Sequence, residues 1–176
     1  MAGRALRFLR RGRLVEIEAF APHTTVLDWL RLEEGSTGTK EGCAQGDCGA
    51  CTVIVARQAS GQIVYHPINA CLHLLGQLDG TELITVEDLA QGDDLHPVQQ
   101  AMVDHHGSQC GFCTPGVVMS LFALFHREGP VDAARVRETL SGNLCRCTGY
   151  RPIIDAAVAV CAGERQDRFT QTQEAT

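Results

Sequence analysis

The sequence predicts an α+β fold in two parts, a small mixed sheet packed on one helix and then an all-α segment of four helices. Three observations predict it. Short β-branched runs and glycine turns fill the chain up to Leu89. From His96 onward apolar residues recur at helical spacing behind cap and proline signals. Between the two, residues 90–95 carry Gly92, Asp93 and Asp94, a linker composition. The domains expected are therefore 1–89, 90–163 and a tail, 164–176.

Each element has a local cause. Arg4 to Leu9 and Leu14 to Glu18 flank Arg10-Arg11-Gly12-Arg13, a β-hairpin with Gly12 in the turn. Thr25 reads as an N-cap with Asp28 three residues on; Val26, Leu27 and Leu30 make the apolar face, and Gly35 stops the helix. Residues 35–51 are glycine-rich and irregular. Thr52 to Ala56 and Ile63 to His66 are strands either side of Ser60-Gly61, and Glu82 to Val86 is another. His96-Pro97 opens the first helix of the second part, with Val98, Ala101 and Met102 on one face. Thr114-Pro115 reads as an N-cap followed by proline at the first helical position, leading into Val117, Val118, Leu121, Leu124 and Phe125. Asp132 caps a third helix that Gly142 stops, and Pro152 opens a fourth. The tail has one aromatic residue and no apolar period, so it reads as flexible.

Composition narrows the function. At 44% hydrophobic and 20% charged residues the chain reads as soluble and globular. No apolar run approaches the roughly 20 residues of a membrane helix. Met1 to Arg13 holds five arginines, read as a solvated strand edge; Leu6, Phe8 and Leu9 are too few for a signal peptide. A net charge of −6 argues against a nucleic-acid partner. Nine cysteines, an odd number without an export signal, suit metal or redox chemistry in a reducing compartment, hence a cytoplasmic expectation.

Spacing sorts eight of the cysteines into two sets. Cys43-x4-Cys48-x2-Cys51 followed by Cys71 is the plant-type ferredoxin spacing for a [2Fe–2S] cluster. It predicts a β-grasp, ferredoxin-like first domain. Gly42, Gly46 and Gly49 let the loop aim backbone N–H groups at sulfur. Zinc and plain buried cysteines are the competing readings. The second set is Cys110-x2-Cys113 with Cys145-x-Cys147, each pair just ahead of a predicted helix whose N-terminus suits an anionic cluster. Zinc competes here too, although the single-residue gap is tight for a zinc knuckle.

The flanking residues resemble a known family. Gly38-Thr-Lys-Glu-Gly-Cys43-Ala-Gln-Gly-Asp-Cys48-Gly-Ala-Cys51, Gln109-Cys-Gly-Phe-Cys-Thr-Pro-Gly116 and Gly142-Asn-Leu-Cys-Arg-Cys-Thr-Gly-Tyr150 look like the iron–sulfur segments of the molybdenum hydroxylases. Within that family Thr39 to Gly42, Gly46-Asp47 and Leu95 to Ser108 look most like the xanthine dehydrogenases. The resemblance implies an electron-transfer subunit or domain that is not active alone and holds no catalytic residue. Cys110, Cys113, Cys145 and Cys147 would hold the cluster nearest a molybdenum–pterin centre, with Gln109 and Cys147 touching the pterin. Cys43, Cys48, Cys51 and Cys71 would hold the cluster nearest FAD, and NAD would be the final acceptor in purine (hypoxanthine or xanthine) hydroxylation. Partners would be a molybdenum-binding subunit and an FAD-binding subunit or domain in a hetero-oligomer, with residues 164–176 leading toward the flavin. The small subunit of an aldehyde oxidoreductase or carbon monoxide dehydrogenase, a free ferredoxin-like carrier and a zinc protein are the alternatives.

Other residues carry blander readings. Cys161 reads as a buried small hydrophobe. His105-His106 reads as a helix end, Trp29 as packing between sheet and helix, and Tyr150 as packing at the domain interface. Lys40 would pair with Glu41 or face the flavin.

Overall fold

The computed structural model describes residues 5–170. Strands β1 (Leu6–Arg10), β2 (Arg13–Ile17), β3 (Thr52–Ala59), β4 (Gln62–Asn69) and β5 (Glu82–Ile84) form one five-stranded sheet in the order β2-β1-β5-β3-β4. β1 and β5 run parallel, and the other neighbours antiparallel. The first hairpin turns on Arg11 and Gly12, both at positive φ (52° and 69°), the two-residue turn whose twist matches the strands. Helix α1 (Val26–Asp28) widens into a π-helical stretch, Trp29–Glu33. The Thr25 side chain caps it by accepting the Asp28 N–H at 3.0 Å.

The helical half holds α2 (Pro97–Asp104), α3 (Thr114–Phe125), α4 (Ala133–Thr139) and α5 (Arg151–Cys161). Several expected boundaries shift, among them those of α3, α5 and β5. α3 starts at Thr114 with Cys113 in the cap position, one residue earlier than the Thr114 cap expected. α5 starts at Arg151, just ahead of Pro152. β5 ends at Ile84 because Thr85 turns the chain: its N–H donates to Asp88 Oδ2 at 2.6 Å, opening a short 3-10 turn.

Strand β3 ties the two halves together. Side chains alternate across a strand. Val53 and Val55 face α1 in a core with Leu6, Phe8, Leu30 and Leu83. Ile54 and Ala56 face the opposite way, into a core with Val117, Phe122 and Ile153 of the helical half. Both faces of β3 are thus buried, so β3 reads as a nearly continuous apolar run instead of an alternation. Trp29 packs edge-on to Phe8, ring centroids 5.3 Å apart, as its bland reading expected.

The arginine-rich start is only partly a solvated edge. Arg10 is 3% exposed and bonds Glu34, Asp88 and Thr85, while Arg7, Arg11 and Arg13 lie at the surface. Arg4 lies outside the described residues.

The flexible tail expected over 164–176 is corrected for residues 165–170; residues 171–176 lie outside the described residues. Arg165 donates to the carbonyls of Arg127 (2.6 Å) and Gly129 (2.5 Å). Arg168 donates to the Asp88 carbonyl, and Phe169 stacks edge-on against Phe122, centroids 5.0 Å apart. Asp167 is buried. Its Oδ2 sits 2.6 Å from His96 Nε2 and 3.0 Å from His126 Nε2, and its Oδ1 accepts from the Thr170 N–H and hydroxyl. These anchors are specific polar contacts without an apolar period, so a periodicity reading passes over them. The three groups could surround a cation. However, His96 Nδ1 accepts the Val98 N–H at 3.1 Å, which leaves the proton on Nε2, aimed at Asp167. That tautomer is a hydrogen-bond donor and offers no lone pair to a metal. Burial would raise the Asp167 carboxyl, but the His126 and His96 contacts outweigh it and hold it well below the usual carboxylate range.

A depressed carboxyl stabilises the fold above its unfolded pKa, about 4, and loses that contribution as pH falls below it. Asp167→Asn should therefore cost about 1.5–3 kcal/mol at neutral pH, because it weakens the hydrogen bonds made to a buried carboxylate. It should also flatten the acid side of a stability–pH curve measured by urea unfolding. At the other end of α3, a Cβ on Gly116 would overlap the carbonyl of Gly49. Gly116→Ala should cost about 1–3 kcal/mol in the same measurement.

Candidate metal centres

The first cysteine set converges from a loop and a distant turn. Cys43 lies beside Cys48, and Cys51 Sγ sits 3.4 Å from Cys71 Sγ. The loop reverses through Ala44 (φ 55°), Gly46 (85°) and Gly49 (67°). That curl aims the N–H groups of Gln45 (3.5 Å) and Asp47 (3.3 Å) at Cys43 Sγ. These amides, led by Gln45, pull the Cys43 thiol down to about 7. Cys51 is the opposite case: burial pushes its thiol up to about 12. The loop is braced by Asn69, whose side-chain N–H donates to the Gly46 carbonyl at 2.8 Å. On the entry side Arg31 donates to the carbonyls of Thr37 (3.2 Å) and Thr39 (2.8 Å), and Glu87 accepts the Gly38 N–H at 2.6 Å. Lys40 makes no ion pair with Glu41; its Nζ donates to the Thr37 carbonyl at 2.8 Å.

The second set pairs in the same way. Cys110 and Cys147 sulfurs lie 3.5 Å apart, and Cys113 lies beside Cys145. Burial pushes the Cys113 thiol up to about 12. Cys113 sits at the start of α3, while Cys145 and Cys147 lead into α5 through Tyr150, so two helix N-termini bracket the set. Gln109, Cys110 and Cys147 are exposed, whereas Cys145 is buried.

The two sets meet through backbone. The Leu144 N–H donates to the Cys48 carbonyl at 2.9 Å, so one hydrogen bond joins a cysteine of the first set to the neighbour of Cys145. Asn143, buried beneath it, donates to the Gly49 carbonyl (3.1 Å) and to Thr52 Oγ1 (3.3 Å) and accepts from Ser120 Oγ (2.7 Å). Asn143 received no role from sequence; its only signal was its place inside the Gly142–Tyr150 motif. Tyr150, read as interface packing, also holds the cysteine loop: its hydroxyl accepts the Cys145 N–H at 2.7 Å and donates to the Asn143 carbonyl at 3.1 Å.

The donor sets fit binuclear iron–sulfur clusters. All nine cysteines are free, and in each set the sulfurs come two by two, as two irons with two protein ligands each require. Buried Cys51 and half-buried Cys113 would be costly as bare thiolates, and cationic iron removes that cost. Cys161 stands apart. It is buried in the helical core and its thiol is pushed up by burial, as its reading as a small hydrophobe expected.

Comparison with known proteins agrees. Residues 9–74 match the 2Fe-2S iron-sulfur cluster binding domain and residues 85–158 the [2Fe-2S] binding domain. Each match contains one of the two cysteine sets, and Cys161 lies in neither. The chain is 50% identical to xanthine dehydrogenase of Blastobotrys adeninivorans over 145 residues, 81% of this chain and 10% of that one. It is 45% identical to human aldehyde oxidase over 159 residues, 89% of this chain and 12% of that one. The chain thus spans about a tenth of the length of these relatives. Among solved structures, quinoline 2-oxidoreductase from Pseudomonas putida 86 superposes with a TM-score of 0.76 at 39% identity, over 90% of this chain and 93% of that one. Aldehyde oxidoreductase from Desulfovibrio gigas gives 0.77 at 36%, over 90% of this chain and 17% of that one. This chain therefore belongs to the xanthine dehydrogenase family of molybdenum hydroxylases, as its [2Fe–2S] electron-transfer part.

Proposed function

We propose that the chain is the iron–sulfur relay of a cytoplasmic xanthine dehydrogenase, passing electrons from a molybdenum–pterin centre to FAD and then NAD during hydroxylation of hypoxanthine and xanthine. Cys43, Cys48, Cys51 and Cys71 hold one cluster; Cys110, Cys113, Cys145 and Cys147 hold the other. Bound clusters supply two one-electron centres in series. What supports a relay over a free carrier is the single Cys48–Leu144 hydrogen bond between the sets, a short internal link that a carrier with one centre does not need. The identity to a xanthine dehydrogenase and the Thr39 to Gly42 flank favour the purine enzyme over the aldehyde oxidases.

The chain's own residues have separate tasks in this reading. The Gln45 and Asp47 amides stabilise negative charge on the first set. The exposed face around Gln109, Cys110, Phe112, Leu144 and Cys147 docks the molybdenum subunit, with Gln109 and Cys147 toward the pterin. Phe112 is 50% exposed and Leu144 65%, apolar surface that a partner would cover. Leu72, 56% exposed beside Cys71, belongs to the face turned to the flavin domain or subunit.

Iron and acid-labile sulfide assays should find four of each per chain, and Cys161→Ala should leave both unchanged. Loss of two irons in that variant would show the ligand assignment to be wrong. Reduction by dithionite should produce two distinct [2Fe–2S] EPR signals, because one set lies in a glycine-rich loop of the sheet half and the other between two helix N-termini. The whole reading is tested on the native complex, purified through this chain and assayed for molybdenum, FAD and NAD reduction. Activity with xanthine supports it. A complex that oxidises aldehydes and leaves purines untouched would move the chain to the aldehyde oxidase branch, and one without molybdenum would overturn the relay.

A further inference from the structure

Tyr150 is one of the few non-glycine residues at positive φ, 65°. A bulky side chain in that region is strained, by about 1–3 kcal/mol, and persists only where surrounding contacts impose it. Those contacts all concern the loop of Cys145 and Cys147. The left-handed turn directs the Tyr150 N–H back onto Thr148 Oγ1 at 3.1 Å. The ring then reaches over the loop, and its hydroxyl bridges the Cys145 N–H (2.7 Å) and the Asn143 carbonyl (3.1 Å). The Tyr150 carbonyl accepts the Ile154 N–H at 2.9 Å and starts α5. Every polar backbone or hydroxyl group of Tyr150 is therefore committed.

The consequence falls on Thr148. Its hydroxyl oxygen lies 3.2 Å from Cys145 Sγ. Because one lone pair receives the Tyr150 N–H, the hydroxyl proton is free to point at sulfur. A cluster-bound sulfur carries no proton, so Thr148 must be the donor of this contact. The Cys145 N–H is taken by the Tyr150 hydroxyl, so the Thr148 hydroxyl acts on this sulfur alongside the Thr148 and Cys147 amides and is the one side-chain hydroxyl donor among them.

We propose that Thr148 sets the reduction potential of the helical-half cluster by donating its hydroxyl to Cys145 Sγ, and that Tyr150 is the positioning residue that aims it. This rests on Cys145 being a cluster ligand. On reduction one electron enters and no bond is made or broken; the proton stays on the Thr148 oxygen. The donor favours the more negative reduced state and raises the potential.

The test is an EPR-monitored redox titration of the purified holoenzyme, parent against Thr148→Val, Thr148→Ser and Tyr150→Phe. Thr148→Val keeps the shape and removes the donor. One signal, the one lost in Cys113→Ala, should become about tenfold harder to reduce, about 59 mV lower for one electron. The other signal should stay in place. Thr148→Ser should restore the parent potential, and Tyr150→Phe should shift the same signal downward by less. A packing role alone would move neither potential selectively. Unchanged potentials in Thr148→Val, with four irons present, would overturn the proposal and leave the ligand assignment standing. A parent with fewer than four irons would instead overturn the assignment. Should the valine variant fail to load iron, proton ENDOR of the parent after brief exchange into D2O decides. A rapidly exchanging proton coupled to that cluster is expected, and its absence would overturn the proposal.

Discussion

The structure depends on one close approach of backbone to backbone. Gly116, in the first turn of α3, lies against Gly49 and Ala50 of the first cysteine loop, and Gly49 lies in turn against Gly142 and Asn143. A side chain at either glycine would occupy the space of the opposing carbonyl. With none there, the Cys48–Cys51 loop, the start of α3 and the Cys145 loop pack together with no layer of side chains between them. The Leu144–Cys48 hydrogen bond and the Asn143 contacts are possible only at that separation. This contact brings the two cysteine sets close.

The rest of the molecule holds that contact from both ends of α3. Near its start the glycine contact and Asn143 fix the helix. At its far end Phe122 and His126 are covered by residues 165–170, which also reach Tyr65 on β4 and the Asp88 carbonyl after β5. Between these two anchors Ile54 and Ala56 of β3 supply the apolar surface. The sheet is therefore buried on two faces, and the two halves share a core. Pivoting of α3 against the sheet would expose that core and break the Asp167 pair, so the separation of the two cysteine sets is held by packing spread along the helix.

Charge is managed differently in the two cysteine sets. The first is surrounded by amides from its own curled loop, and its entry is fixed by a buried ionic group around Arg10 and Asp88. That group connects through Glu87 to the Gly38 N–H, just before the loop. Such a buried group is weak evidence for net stability, since desolvation offsets much of its attraction. Its value is in fixing one geometry for a glycine-rich segment that would otherwise have many. The second set also receives backbone amides, from Phe112 at Cys110 and from Thr148 and Cys147 at Cys145, and adds two helix N-termini and the Thr148 hydroxyl, with half of its cysteines at the surface.

The sequence alone determined the chemistry and most of the elements. Eight cysteines in two spacings, the hairpin turn at Arg11-Gly12, the Thr25 and Asp132 caps and the prolines at helix starts are local signals, and local signals act through neighbours in the chain. The tertiary structure alone decided what depends on contacts between distant segments. Arg10 looked like its exposed neighbours until Glu34 and Asp88 folded against it. Residues 165–170 looked unstructured because their anchors, Asp167 above all, bond His96 from 71 residues away and His126 from across two helices. Asn143 and Tyr150 showed only motif membership, since their partners are backbone carbonyls and amides that sequence does not display. β3 carried no sign of which core each side chain would enter, because a strand buried on both faces loses the alternation that marks a half-buried one.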